Sequence, residues 1–243
     1  WYKTEGPKEY ETRILAHLDT FQPETDVSVC PYGGWRDGPA QAATGYFHAK
    51  QVDGRWWLVD PDGHLFLHVA INSVGIQEGP QFKAAFPKKY HSPEDWAQQT
   101  MDLLRTHGFN GTGNWSDDAL LRAASPRPIY AYRLDFMGSF GRHLGVTHQV
   151  PGHLGYPNEL IPVFHPEFEA FCRELAQELA PTRDDPYLLG IFSDNELQLP
   201  QTSLDRHLDL DADTDGRKVA EAWLAERKGN AASKELSDDD RQE

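Results

Sequence analysis

The sequence predicts an α/β protein built as a (β/α)8 TIM barrel, of which the chain holds roughly the N-terminal half. Three observations lead there. Beyond residue 63, strand-like apolar runs alternate with amphipathic helical runs, which means a parallel sheet with helices outside it. The first of those strands is followed by Asn72-Ser73-Val74-Gly75-Ile76-Gln77 and not by G-x-G-x-x-G. An open dinucleotide-binding sheet needs that glycine loop, so the barrel is favoured and an oxidoreductase reading loses its support. Residues 64–243 hold four such strands, whereas a complete barrel has eight strands and takes about 250 residues.

Each element has a local reason. Residues 1–44 are irregular and rich in turn signals such as Pro31-Tyr32-Gly33-Gly34 and Asp37-Gly38-Pro39, with one short amphipathic stretch at 10–18. They read as a linker, the tail of an N-terminal accessory region, wrapping onto a domain at 45–243. A β-rich run at 55–59 meets the turn Asp60-Pro61-Asp62-Gly63, and residues 64–71 return as a strand. Ser92-Pro93-Glu94-Asp95 starts a helix: an N-cap, a first-turn proline, then acids at the positive end. Its apolar stripe is Trp96, Thr100, Leu103 and Leu104, and Gly108 stops it.

Residues 109–115 form a short strand, 117–124 a short helix and 128–134 another strand. A long loop rich in glycine and histidine is expected over 135–164. Residues 166–180 read as a helix, with Phe168, Phe171, Cys172, Leu175 and Leu179 on one face and Cys172 a buried free thiol. Residues 187–192 are wholly apolar, as in a parallel strand buried on both faces. Ser237-Asp238-Asp239-Asp240 opens a further helix with only three residues left to build it. With Trp1 in place of an initiator methionine, the chain reads as processed, trimmed or taken from inside a larger protein.

Composition removes some functions. The net charge of −15 argues against nucleic acid and anionic membranes as partners, and no apolar run is long enough for a transmembrane helix. Two cysteines are too few for a disulfide framework or a zinc ribbon. His143, His148, His153 and His165 lack the spacing of a helical zinc site, so no metal and no cofactor is expected. A sugar-binding histidine in a cleft wall suits that loop better. Asp209-Leu210-Asp211-Ala212-Asp213-Thr214-Asp215-Gly216 imitates a calcium loop, but Ala222 stands where a bidentate acid is needed. A solvated acidic loop before a helix at 217–228 is the expectation.

In a barrel the site sits at the C-terminal ends of the strands. The polar residues there are Asn72 and Ser73, Asn114 and Trp115, Asp135, and Asn195 with Glu196. An indole stacks on a pyranose face, amides and carboxylates bind hydroxyls, and a carboxylic acid can protonate a leaving glycosidic oxygen. Trp56 and Trp57 read as hairpin packing.

Four stretches carry a family resemblance: Thr44-Gly45-Tyr46-Phe47, residues 54–66 (GRWWLVDPDGHLF), residues 108–116 (GFNGTGNWS) and residues 190–197 (GIFSDNEL). In this order, over about residues 28–200, the sequence resembles β-agarases of glycoside hydrolase family 50. The resemblance implies a retaining glycosidase with a (β/α)8 barrel and an Asn-Glu pair ending the fourth strand. It implies Glu196 as general acid/base and Asn195 as the residue holding the substrate's 2-hydroxyl. It further implies a second glutamate, the nucleophile, after a seventh strand, and the pattern places no such strand in this chain. Substrate-binding candidates are Asn195, Asn72, Asn114, Trp115 and Asp135. The expected partner is an agarose-like polysaccharide or oligosaccharide, and the resemblance carries a secreted or periplasmic location. The rivals are another β-galactan hydrolase or a β-galactosidase of the same clan, and a non-catalytic carbohydrate-binding barrel.

Overall fold

The computed structural model describes Glu9 and residues 27–150, 153–197, 199–229 and 236–242. The helix expected at 10–18 lies outside the described residues.

Strand β1 (His48–Val52) pairs antiparallel with β2 (Arg55–Val59). Asp53 and Gly54 both take positive φ, 49° and 77°, which turns the chain in two residues. The sequence reading had missed β1. Across the Asp60-Pro61-Asp62-Gly63 turn, β2 pairs with β3, which is only Leu65–Phe66. The expected return strand is therefore split. Its remainder, β4 (Ala70–Ile71), belongs to a different, parallel sheet. Asn110 spans the break: its Oδ1 accepts from the Val69 N–H at 3.0 Å and its Nδ2 donates to the Leu67 carbonyl at 2.7 Å.

Asp60 ties the hairpin to the preceding segment. It is fully buried, and Oδ1 accepts from the backbone N–H of Asp62 and of His64, each at 2.9 Å. Oδ2 accepts from the Cys30 thiol at 2.7 Å and lies 3.3 Å from His64 Nδ1. Burial and then the Asp60 carboxylate push the Cys30 thiol up and keep it protonated. A β-carbon at residue 34 would sit 2.2 Å from Oδ2, so only glycine fits there. Trp35 N–H donates to the Leu65 carbonyl at 2.7 Å and Gln41 N–H to the Gly63 carbonyl at 2.8 Å. The described part of the segment before residue 45 thus lies along the hairpin.

The central sheet has the order β4-β5-β6-β9, with β5 Gly111–Thr112, β6 Ile129–Arg133 and β9 Leu188–Phe192. Every neighbouring pair is parallel, and spatial order follows chain order. Between β4 and β5 run α1 (Pro80–Lys89) and α2 (Pro93–Thr106). The sequence reading had missed α1, which buries none of its residues and has no side-chain cap. In α2, Ser92 Oγ accepts from the Asp95 N–H at 3.1 Å, the cap its sequence predicts. The buried face is Trp96, Ala97, Met101 and Leu104, packed with Leu121 and Ala124. Leu103 points out, 58% exposed, because the face of α2 is centred on Met101.

Helix α3 (Asp118–Leu121) separates β5 from β6. The segment expected as a loop at 135–164 is mostly structured. It contains α4 (Phe136–His143), a hairpin of β7 (His148–Val150) and β8 (His153–Gly155), and a 3-10 turn at Pro157–Glu159. Its glycines and histidines hid a capped helix. Helix α5 (Phe168–Leu175) is shorter than expected, giving way to 3-10 turns over Ala176–Thr182. Phe168 and Phe171 pack on Phe140, each 5.2 Å between ring centroids. Cys172 is half-buried, not buried as expected.

Strand β9 also departs from expectation. Ile191 is 46% and Phe192 50% exposed. Among the described residues β9 is an edge, paired on one side only, by β6. After it come α6 (Ser203–Leu208), α7 (Asp215–Arg227) and α8 (Asp238–Gln242). Asp209, Asp211 and Asp213 are exposed in the turn before α7. Arg217 Nη1 holds that turn by the carbonyls of Leu208 and Leu210, at 2.5 and 2.9 Å. Ser237 caps α8 by accepting from the Asp240 N–H at 3.2 Å. No described helix is long and apolar enough to cross a membrane.

Candidate active site

Four parallel strands end on the same edge of the central sheet, and their polar termini gather there. The backbone is strained at three of these ends. Ser73 (φ 59°), Trp115 (φ 60°) and Glu196 (φ 47°) all take the left-handed conformation without being glycine. Such strain costs of order 1–3 kcal/mol per residue and persists where surrounding contacts over-determine it. The ends of β4 and β5 supply such contacts. Ser73 N–H donates to the Asn114 carbonyl at 2.8 Å. Ser116 Oγ donates to the Gly113 carbonyl at 2.8 Å and accepts from the Val74 N–H at 3.2 Å.

A cavity of about 160 Å³ opens between these ends, and its walls include Trp115, Asp135, Asn195 and Glu196. Four of the six expected site residues therefore meet in one place. They come from the ends of β5, β6 and β9, more than 80 positions apart in the chain at the extremes. Small-molecule sites usually enclose about 300–1,000 Å³, so the described residues enclose less than a typical ligand site.

The other two stand apart. Asn114 is buried, and its Oδ1 has no hydrogen-bond partner among the described residues. Asn72 is exposed and folds over Gly113, where a β-carbon would come within 1.9 Å of Asn72 Oδ1. Neither lines the cavity: Asn72 turns onto Gly113, and Asn114 is buried.

Asp135 lines the cavity, but its carboxylate is already engaged. Oδ1 accepts from the Gly138 N–H at 3.2 Å, capping α4. Oδ2 accepts from Arg142 Nη2 at 2.8 Å and lies 3.7 Å from Arg133 Nη1. A β-carbon on Gly138 would sit 2.6 Å from both carboxylate oxygens, so that position needs glycine. Next to the expected acid, Asp194 accepts from the Met137 N–H at 2.8 Å, and burial raises its carboxyl above the usual range.

Sequence reasoning missed Arg133, Arg142, Leu154, Tyr156 and Leu197 in the cavity wall. It also expected a sugar-binding histidine in the 135–164 loop. His143 and His165 instead pack on Phe140, at 6.2 and 5.5 Å between centroids, and the His148 ring lies against Gly155. The side chain of His153 lies outside the described residues. Trp57 is half-buried, as packing requires, but Trp56 is 70% exposed. Trp115 and Arg133 also border a second depression of about 510 Å³ that contains Asp118. Burial pushes the Asp118 carboxyl up to about 6.

No family model matches the chain. Among curated proteins it is 23% identical to beta-agarase B of Vibrio sp. (strain JT0107) over 243 aligned residues, 72% of this chain and 24% of that protein. Beta-agarase A of the same strain is 24% identical over 68% of this chain and 22% of its own length. The crystal structure of BpGH50 superimposes with a TM-score of 0.70 at 25% identity, covering 95% of this chain and 53% of that one. The chain is thus similar to β-agarases in sequence and to BpGH50 in fold. A further structure, of the agarase AgWH50C, agrees in fold with a TM-score of 0.62 at 20% identity, over 88% of this chain and 39% of that one. The chain spans about a quarter of the length of the curated relatives it matches.

Proposed function

We propose that the chain contributes the acid/base side of a retaining glycosidase active site that cleaves a β-linked, galactose-containing polysaccharide of the agarose type. Residues 45–243 are then the N-terminal part of a (β/α)8 catalytic domain, and residues 1–44 the linker that enters it. The reading rests on one observation: Asn195 and Glu196, ending an apolar parallel strand, share a cavity with the exposed Trp115 at the C-terminal edge of the sheet. The match between chain order and strand order supports the barrel.

In this mechanism the sugar stacks on Trp115, and Asn195 holds its 2-hydroxyl. Glu196 protonates the leaving glycosidic oxygen and later removes a proton from the attacking water. Retention needs a second carboxylate about 5 Å away as nucleophile. Asp135 is unsuited, because Arg142 and the α4 N-terminus hold its oxygens. The nucleophile is therefore a glutamate supplied by the rest of a longer protein. That protein works outside the cytoplasm, where its polymeric substrate is found.

The test uses the full-length protein with Glu196→Gln. Hydrolysis of agarose oligosaccharides is expected to fall by about 10³-fold, within the 10²–10⁴ typical of one acid/base group. An aryl glycoside with a good leaving group needs no acid, so its first step survives and added azide restores turnover as the glycosyl azide. Unchanged hydrolysis by Glu196→Gln sinks the assignment. Activity on another β-galactan and none on agarose moves the substrate to the rival class.

A further inference from the structure

We propose that Tyr156 and Arg133 are substrate-binding residues that hydrogen-bond the neutral pyranose on which Glu196 acts. The inference rests on the glycosidase reading of the same cavity and names two residues which that reading does not contain.

Tyr156 is only 6% exposed, yet its hydroxyl has no hydrogen-bond partner among the described residues. A buried phenol ordinarily finds one. Tyr156 lines the cavity together with Asn195 and Glu196. Burial, and then the nearby Asp135 and Asp194 carboxylates, push the phenol up, so it stays protonated and able to donate. The ring is held by α4. A β-carbon on Gly141 would come within 2.9 Å of Tyr156 Cε1, so glycine lets the ring lie flat on the helix. Three residues earlier on α4, Gly138 makes the same allowance for Asp135.

Arg133 leaves the end of β6 toward the same cavity. Its guanidinium stands 5.6 Å from the Trp115 ring, and its only described ionic contact is the 3.7 Å approach to Asp135. Among the described residues its N–H groups make no hydrogen bond. Arg142, by contrast, spends Nη2 on Asp135 and on Ser139 Oγ at 3.2 Å. Arg133 thus offers a planar fork of donors beside an exposed indole, which remains 46% accessible for a sugar face.

Two unspent donors facing a carboxylic acid suit a ligand rich in hydroxyl and ether oxygens. Asp135 and Glu196 balance the two arginines within the cavity, and the chain carries −15 overall. A neutral sugar fits that balance; a sulfated one does not gain from it.

Equilibrium binding decides the matter, measured calorimetrically on the full-length protein in a Glu196→Gln background so that bound sugar is not turned over. The ligands are a tetrasaccharide from agarose, a β-1,4-galactan tetrasaccharide and a sulfated galactan oligosaccharide. Tyr156→Phe is expected to weaken binding of the neutral ligand about 5- to 20-fold, and Arg133→Gln about 10-fold or more. Tyr156→Phe is expected to leave the melting temperature unchanged, because the hydroxyl makes no hydrogen bond among the described residues. Undiminished affinity in Tyr156→Phe overturns the assignment alone and leaves the glycosidase reading standing. Tightest binding of the sulfated ligand, lost with Arg133→Gln, overturns the neutral substrate class. Failure of the parent to bind any of the three overturns both readings.

Discussion

Two clusters of polar side chains, one around Asp60 and one around Glu196, are built in opposite ways. Around Asp60 every acceptor is used: two backbone N–H groups, a thiol and an imidazole converge on one buried carboxylate. Around Glu196 the groups are unspent among the described residues: a phenol and an arginine fork that make no hydrogen bond there, and backbone in the left-handed region. Polar groups satisfied internally fix a fold, whereas polar groups left open toward a cavity are available to a ligand. The Cys30, Asp60 and His64 donors lie within 4.8 Å of one another, so distance alone would pass them as a metal site. Their hydrogen bonds to one another mark them as a structural clamp.

The contrast can be broken most forcefully at Asp60. Asp60→Ala is expected to destabilise the protein by about 3 kcal/mol, since it orphans four donors in a buried place. Chemical denaturation measures this, and Glu196→Gln under the same conditions is expected to change stability by less than about 0.5 kcal/mol. Equal losses would erase the distinction between the two clusters.

Gly138→Ala tests the cavity side of the contrast in a smaller way. Its methyl group would displace the Asp135 carboxylate and so the cap of α4. A loss of about 1–2 kcal/mol is expected, with weaker sugar binding, because α4 also seats Tyr156. Destabilisation without any change in affinity would uncouple α4 from the cavity.

The smallest effect sharpens the comparison through pH. Asp118 is raised to about 6 by burial, against 3.8 ordinarily, so the folded protein holds this proton more tightly than the unfolded chain. Stability from this group is therefore fully present below about pH 4 and is lost as pH rises toward 6. Asp118→Asn is expected to stabilise the protein at pH 7 by about 1 kcal/mol, discounted for partial exposure, and to give no advantage at pH 4. Thermal melts of both proteins at the two pH values check the sign. A gain at pH 4 equal to that at pH 7 would rule out the ionisation as its cause.

Much of the fold was legible because its signals are local. The Ser92 cap, the Gly108 stop and the Ser237 cap are written within a few residues, and all three appear where expected. The same holds for the strand that presents Asn195 and Glu196. Elements lacking such signals were missed: α1 has neither a capping side chain nor a buried face, and α4 lies within a glycine- and histidine-rich run. The split of the return strand into β3 and β4 was invisible too, because one apolar run serves two sheets.

The sequence by itself determined the alternating α/β order and the apolar strand β9 that runs into Asn195 and Glu196, since periodicity, caps and turns act over short spans. Only the tertiary structure decided which side chains meet that acid. Tyr156 and Arg133 reach the cavity, Asn72 and Asn114 do not line it, and Asp135 is bound up by Arg142. Those outcomes depend on strand register, on the path of α4 and on the packing of residues far apart in the chain, none of which a local pattern encodes.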